Sequence, residues 1–209
     1  MVRRTQGWRD GLLGVVIFSG SLPATRVAVA ELSPMFLTSA RAVIAAILGA
    51  ALLYALKGTT PARRDIRGLA LVSVGVVVGF PLSTALALQH ISAGRSIVFV
   101  GLLPLATAVF GVFRGGERPK PLFWLFAAFG AIAVAGFALH ESGGGGGALT
   151  GDLLMVAAVI VCGLGYAEGA ALSRRLGGWQ VISWALLLSA PIMAAIAFWT
   201  LPDAWREIG

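Results

Sequence analysis

Apolar residues run through this chain in blocks rather than in alternation. Stretches such as Ala42 to Leu56 (AVIAAILGAALLYAL) have no polar face, and short segments carrying charge, glycine or proline separate one block from the next. A helix crosses a hydrocarbon core with about 20 apolar residues. Seven runs come close to that size: Gly11 to Ala30, Met35 to Leu56, Gly68 to Gln89, Ser96 to Phe113, Pro121 to Leu139, Leu153 to Leu172 and Val181 to Leu201. Barrel strands would alternate over about ten residues, whereas runs that are apolar all round predict helices in lipid. The pattern predicts an all-α polytopic membrane helix bundle.

Composition sharpens this. At 58% hydrophobic, 12% charged and a mean hydropathy of +0.90, the chain is too apolar for a soluble domain. The net charge of +7 would suggest nucleic acid in a soluble chain, but here the charges sort by connection. Arg3, Arg4, Arg9, Lys57, Arg63, Arg64, Arg67, Arg114, Arg118, Lys120, Arg174 and Arg175 fall on one side. Arg95 and Arg206 fall on the other, with the acids Glu31, Glu141, Asp152, Asp203 and Glu207. Lys and Arg near span ends mark the cytoplasmic side, so the N-terminus is expected inside and Gly209 outside in a multi-pass cell-membrane protein. The basic balance then belongs to topology: the lipid bilayer is the expected partner, and nucleic acid is not. Arg3, Arg4 and Arg9 ahead of an apolar run ending Ala28-Val29-Ala30 also fit the outline of a cleavable signal peptide; Arg26 just before that site argues for a retained span.

Ser142 to Thr150 (SGGGGGALT) reads as a flexible outside linker. It lacks the Lys-Ser or Lys-Thr that a phosphate loop needs. It divides five spans from two, giving a first unit over 1–141, a linker over 142–151 and the start of a second unit over 152–209. A shift of 142 residues places Asp10 on Asp152, Leu22 on Leu164, Pro23 on Gly165 and Arg26 on Glu168. An odd unit of five spans followed by its copy must be inverted in the membrane, as in many secondary transporters.

Several motifs carry a family likeness: Leu32-Ser33-Pro34 leading to Arg41; Ala87 to Gly94 followed by Leu103-Pro104; Gly116-Glu117; and Gly151-Asp152-Leu153 with Arg174-Arg175 closing that span. With these the chain resembles the EamA type of the drug/metabolite transporter superfamily. The resemblance implies ten helices in two inverted five-helix units and movement of small metabolites, often outward. After seven spans, three helices of that plan are expected to be missing, to be supplied by further C-terminal helices or by a second copy of the chain. The implied function is a secondary carrier, an exporter of small metabolites such as amino acids or related compounds, working by alternating access between the units. The rival reading is a membrane scaffold or assembly subunit.

Ionisable groups within spans cost several kcal/mol and usually face protein or a water-filled cavity. Three qualify: Arg26, Arg41 and Glu168. Arg26 and Arg41 are expected at similar outer depth around a pocket for a carboxylate-bearing substrate, with Glu31 at its mouth. Snorkelling to the interface is the alternative. Glu168, on the inner side, is the candidate for proton exchange, with pairing to Arg175 on its own helix as the alternative. Pro23, Pro81, Pro104 and Pro191 are expected to interrupt spans, and Phe80, Ser83 and Tyr166 to line the cavity. Gly75 with Gly79 and Gly165 with Gly169 make faces for close helix contact. One cysteine, Cys162, and two histidines, His90 and His140, leave little for a metal centre, and neither cofactor nor catalysis is expected.

Overall fold

The computed structural model describes residues 2–116, 118–140 and 145–202. Glu117, Glu141, Asp203, Arg206 and Glu207, named above, lie outside the described residues. Ten α-helices build seven rods, and no strand occurs among the described residues. The first rod is α1 (Val2–Ser19) with α2 (Ser21–Ala28), the second α3 (Pro34–Ala55). The third begins with a 3-10 turn (Arg63–Asp65), continues as α4 (Ile66–Val72), passes through a π-helical segment (Ser73–Gly79) and ends as α5 (Phe80–Ala87). The fourth is α6 (Ala93–Val100) with α7 (Leu103–Gly115); α8 (Pro121–His140), α9 (Gly145–Leu176) and α10 (Gly178–Trp199) complete the series. Six rods are long and apolar enough to cross a membrane, and the fifth adds an apolar stretch over Pro121–Phe137.

Local chemistry sets the ends. The Ser33 hydroxyl accepts from the Phe36 N–H at 3.2 Å, with Pro34 in the first turn of α3 where its missing N–H costs nothing. The Ser92 hydroxyl accepts likewise from the Arg95 N–H at 3.2 Å and starts α6. Gly116 closes α7 with φ +64°, a left-handed cap that favours glycine.

Prolines act less uniformly than expected. The first rod breaks at Gly20, three residues before Pro23, which then sits in the first turn of α2. A proline ring clashes with the carbonyl four residues back. Ahead of Pro81 that clash falls on Val77, and the π segment shifts the register to i→i−5 there, the Phe80 N–H bonding Gly75 O. The Thr84 hydroxyl donates to the carbonyls of Phe80 and Pro81 at 2.8 and 3.0 Å. Pro191 does not interrupt its span: α10 runs through it.

The glycine-rich stretch also departs from expectation. From Gly145 onward the chain is helical rather than a linker, so α9 is 32 residues long. Helix glycine costs about 1 kcal/mol per residue, which contacts further along offset. At Gly151 the backbone backs so closely onto the third-to-fourth connection that a Cβ would lie 2.6 Å from Ile91 Cγ2.

The sixth rod, α9, is the hub, packing against α4, the π segment, α5, α6, α7 and α10. It meets the π segment where both chains lack side chains: a Cβ on Gly75 would lie 2.4 Å from the Val161 carbonyl, and one on Gly165 2.8 Å from Val76 Cγ2. One buried cluster joins Ala42, Leu69, Val72, Leu172, Val181 and Met193; another joins Ala87, Phe99 and Met155.

Candidate functional site

A cavity of about 560 Å³ opens beside the break in the first rod, lined by Phe18, Ser21, Thr25, Leu37 and Arg41 among others. Arg41 sits two turns into α3 and donates through Nη1 to the Thr25 hydroxyl at 3.2 Å. The Thr25 hydroxyl in turn donates to the Ser21 carbonyl at 2.7 Å. Arg41 has no acidic partner among the described residues, and its remaining N–H groups have no acceptor there. An arginine has five N–H donors, so Arg41, itself exposed at the edge of this cavity, leaves an uncompensated cation with free donors within the run of α3.

Arg26 is not part of this arrangement. It is exposed in the last turn of α2 and does not line the cavity. It follows Thr25 directly, and successive helical side chains diverge by about 100°, so when Thr25 turns toward α3, Arg26 turns away. Glu31 is exposed and bridges neither arginine.

Tyr166 lines a different cavity of about 370 Å³, between the third, sixth and seventh rods, with Val72, Val76, Ser173 and Val181. Phe80 and Ser83 are half-buried at the start of α5 and line neither space.

Glu168 pairs with Arg114 at the end of α7, not with Arg175. Arg175 lies roughly 10 Å further along the helix by rise, and Asp65 of the 3-10 turn takes it at 2.6 Å. That carboxylate is itself buried and also accepts from the Ala62 N–H at 3.1 Å. At the opposite end of the bundle Arg95, counted above among the loop charges, is 5% exposed. It makes a bidentate pair with Asp152, Nε to Oδ1 at 2.8 Å and Nη2 to Oδ2 at 2.7 Å. Sequence reasoning missed this pair. The available signal was that Arg95 broke the sorting of basic residues to one side. A polar clasp also went unread: Gln180 Oε1 accepts from the N–H and hydroxyl of Thr59 at 2.8 and 2.9 Å, and the Trp184 indole donates to the Thr59 carbonyl. No group of three or more potential metal ligands occurs among the described residues.

Seven apolar rods with ion pairs at both ends and a charged cavity within one span define a polytopic helical membrane protein. The model of the EamA-like transporter family matches residues 11–139. The chain is 59% identical over 209 residues to the "Uncharacterized transporter YdeK" of Bacillus subtilis (strain 168), covering 100% of this chain and 72% of that protein. This chain belongs to the EamA-like transporter family and is a multi-pass membrane transporter. Members of that family are generally not enzymes. No solved structure matches it.

Proposed function

We propose that the protein is a secondary transporter that exports small carboxylate-bearing metabolites, amino acids or related compounds, by alternating access. The observation that carries this reading is Arg41: a cation without an acidic partner beside a cavity large enough for such a ligand, in a chain of a transporter family. A substrate carboxylate supplies the acceptor that the guanidinium lacks, and a bidentate pair is the strongest form of that contact. The apolar lining, Phe18 and Leu37 included, suits a small hydrocarbon body. Arg26, exposed one residue after Thr25, serves in this reading as an electrostatic guide at the entrance. The sorting of basic connections supports an N-terminus in the cytoplasm and export toward the side that carries Arg95 and Asp152.

Glu168 is the proposed proton-exchanging group. It is shielded, and its only ion-pair partner among the described residues, Arg114, is half-exposed, so protonation of the carboxylate releases a side chain that water can receive. The test is a comparison of metabolites accumulating outside cells that express the parent chain, Arg41→Gln or Glu168→Gln. Loss of export of a carboxylate class in Arg41→Gln, with pH-independent export in Glu168→Gln, is expected. An Arg41→Gln variant that exports as the parent does sinks the site, and an unchanged pH profile in Glu168→Gln sinks the coupling role.

A further inference from the structure

The two ion pairs just described share a pattern: both arginines belong to the fourth rod and both acids to the sixth. Arg95 opens the fourth rod and meets Asp152 near the start of α9; Arg114 ends it and meets Glu168 near the end of α9. Between them the backbones come together at Ala106 and Gly163, where a Cβ on Gly163 would lie 2.7 Å from Ala106 Cβ. The sequence separations at these three points are 57, 57 and 54. The rods therefore run parallel, in register to within one helical turn, on either side of the break between α6 and α7. Sixteen residues separate Asp152 from Glu168, about 24 Å by helix rise, most of a hydrocarbon core of about 30 Å.

We infer that the fourth and sixth rods are clasped into a single rigid body, with Arg95 and Asp152 as the fixed end of the clasp. Three physical features support this. The Arg95 and Asp152 pair is bidentate and shielded, the geometry in which an ion pair holds orientation as well as distance. Parting it exposes two charges to a low-dielectric surround. At the crossing point the absence of a Cβ on Gly163 lets the helices approach to backbone contact, which leaves no room for sliding. By contrast the first rod touches its neighbours sparsely, and Val15, Val16 and Ile17 are 61–79% exposed. The sixth rod lies beyond the matched segment 11–139 and the fourth within it, so the clasp ties the two parts of the chain together. If the protein works by alternating access, the moving boundary then lies between the first rod and the clasped pair. The five-helix units do not separate as blocks.

The test is a set of spin-label distance measurements on the whole chain in lipid nanodiscs, in a Cys162→Ala background and in acidic and alkaline buffer. Labels at Ile97→Cys with Leu153→Cys report one end of the clasp, labels at Phe113→Cys with Ala170→Cys the other, and Val16→Cys with Leu153→Cys the loose boundary. Ile97, Leu153, Phe113 and Val16 are each about half or more exposed, so labels fit there. Both clasp pairs are expected to give one narrow distribution, at least twofold narrower than the Val16 pair. A clasp distribution as broad as the Val16 pair, or two populations at the Ile97 and Leu153 end, overturns the inference. Asp152→Asn is expected to broaden the Ile97 and Leu153 distribution, and exchange of the charges, Arg95→Asp with Asp152→Arg, to narrow it again. An unchanged width in Asp152→Asn removes the ion pair as cause. Should that variant not fold, Arg114→Gln puts the same question to the Phe113 and Ala170 pair. None of these readings needs transport, so failure of the clasp and failure of the transporter proposal are told apart.

Discussion

The sixth rod and the first are both apolar, both long enough to span a bilayer and matched to one another by a 142-residue shift, yet they stand in opposite surroundings. In its most apolar window the sixth has 44% of its residues buried against protein, the first 11%. The sixth is uninterrupted from Gly145 to Leu176 and pinned by acids near both ends; the first breaks at Gly20 and meets its neighbours mainly through α2. Hydropathy cannot separate these roles, because lipid and protein interior are equally apolar and burial in a membrane is not driven by escape from water. Small residues decide it. The sixth rod places Gly163 and Gly165 where neighbouring backbones arrive and Gly151 against the Ile91 and His90 side chains, whereas at Gly11 and Gly14 a Cβ would meet nothing within 4 Å.

This contrast can be broken by substitution. The largest effect is expected from Asp152→Asn, which takes the paired carboxylate from the shielded Arg95 at about 3–5 kcal/mol. Unfolding in mixed micelles measures it, and replacing both partners together, Arg95→Met with Asp152→Leu, should cost markedly less. Next comes Met155→Ala, at a fully buried site on α9, expected to cost about 2–5 kcal/mol. Gly75→Val, forcing a side chain against the Val161 carbonyl, should cost about 1–3 kcal/mol by overpacking and lower the midpoint of thermal unfolding accordingly. Arg114→Gln, which removes the half-exposed member of the pair with Glu168, should fall to about 1 kcal/mol or less. The smallest change is expected in the first rod, where Leu13→Ala, 61% exposed in the parent, should stay within about 0.5 kcal/mol. If Leu13→Ala costs as much as Met155→Ala, the two rods are equally embedded and the comparison fails.

The spans were legible because each rests on a local property: some twenty residues nearly without charge, opened by Ser33-Pro34 or Ser92 or closed by Gly116. The site was legible only where a residue carries its own anomaly. Arg41 stood out as a charge within an apolar run, and the structure puts it at a cavity. Arg26 stood out equally and is turned away, since a sequence reports a residue's depth along a helix better than its direction around it. The Arg95 and Asp152 pair was hidden by a separation of 57 residues. Each partner alone looks like an ordinary charge at a span end, and no local pattern states which helices become neighbours. The π segment was equally silent, although Pro81 marked the place; the sequence says that a carbonyl must be displaced there, not how the backbone accommodates it.

The Thr59 clasp bears on the order in which the chain is completed. Thr59 gives its N–H and hydroxyl to Gln180, 121 residues later, so the connection that precedes the third rod cannot reach its final shape when that rod enters the membrane. It must wait until the seventh has been made. Arg63 and Arg64 are exposed just beyond it. In ribosome-bound chains stalled before Gln180 emerges, trypsin should cut there readily; once Trp184 has been inserted, the same bonds should resist. That surface connection thus serves as a clock for assembly, recording in its protease sensitivity whether synthesis has reached the last helix described.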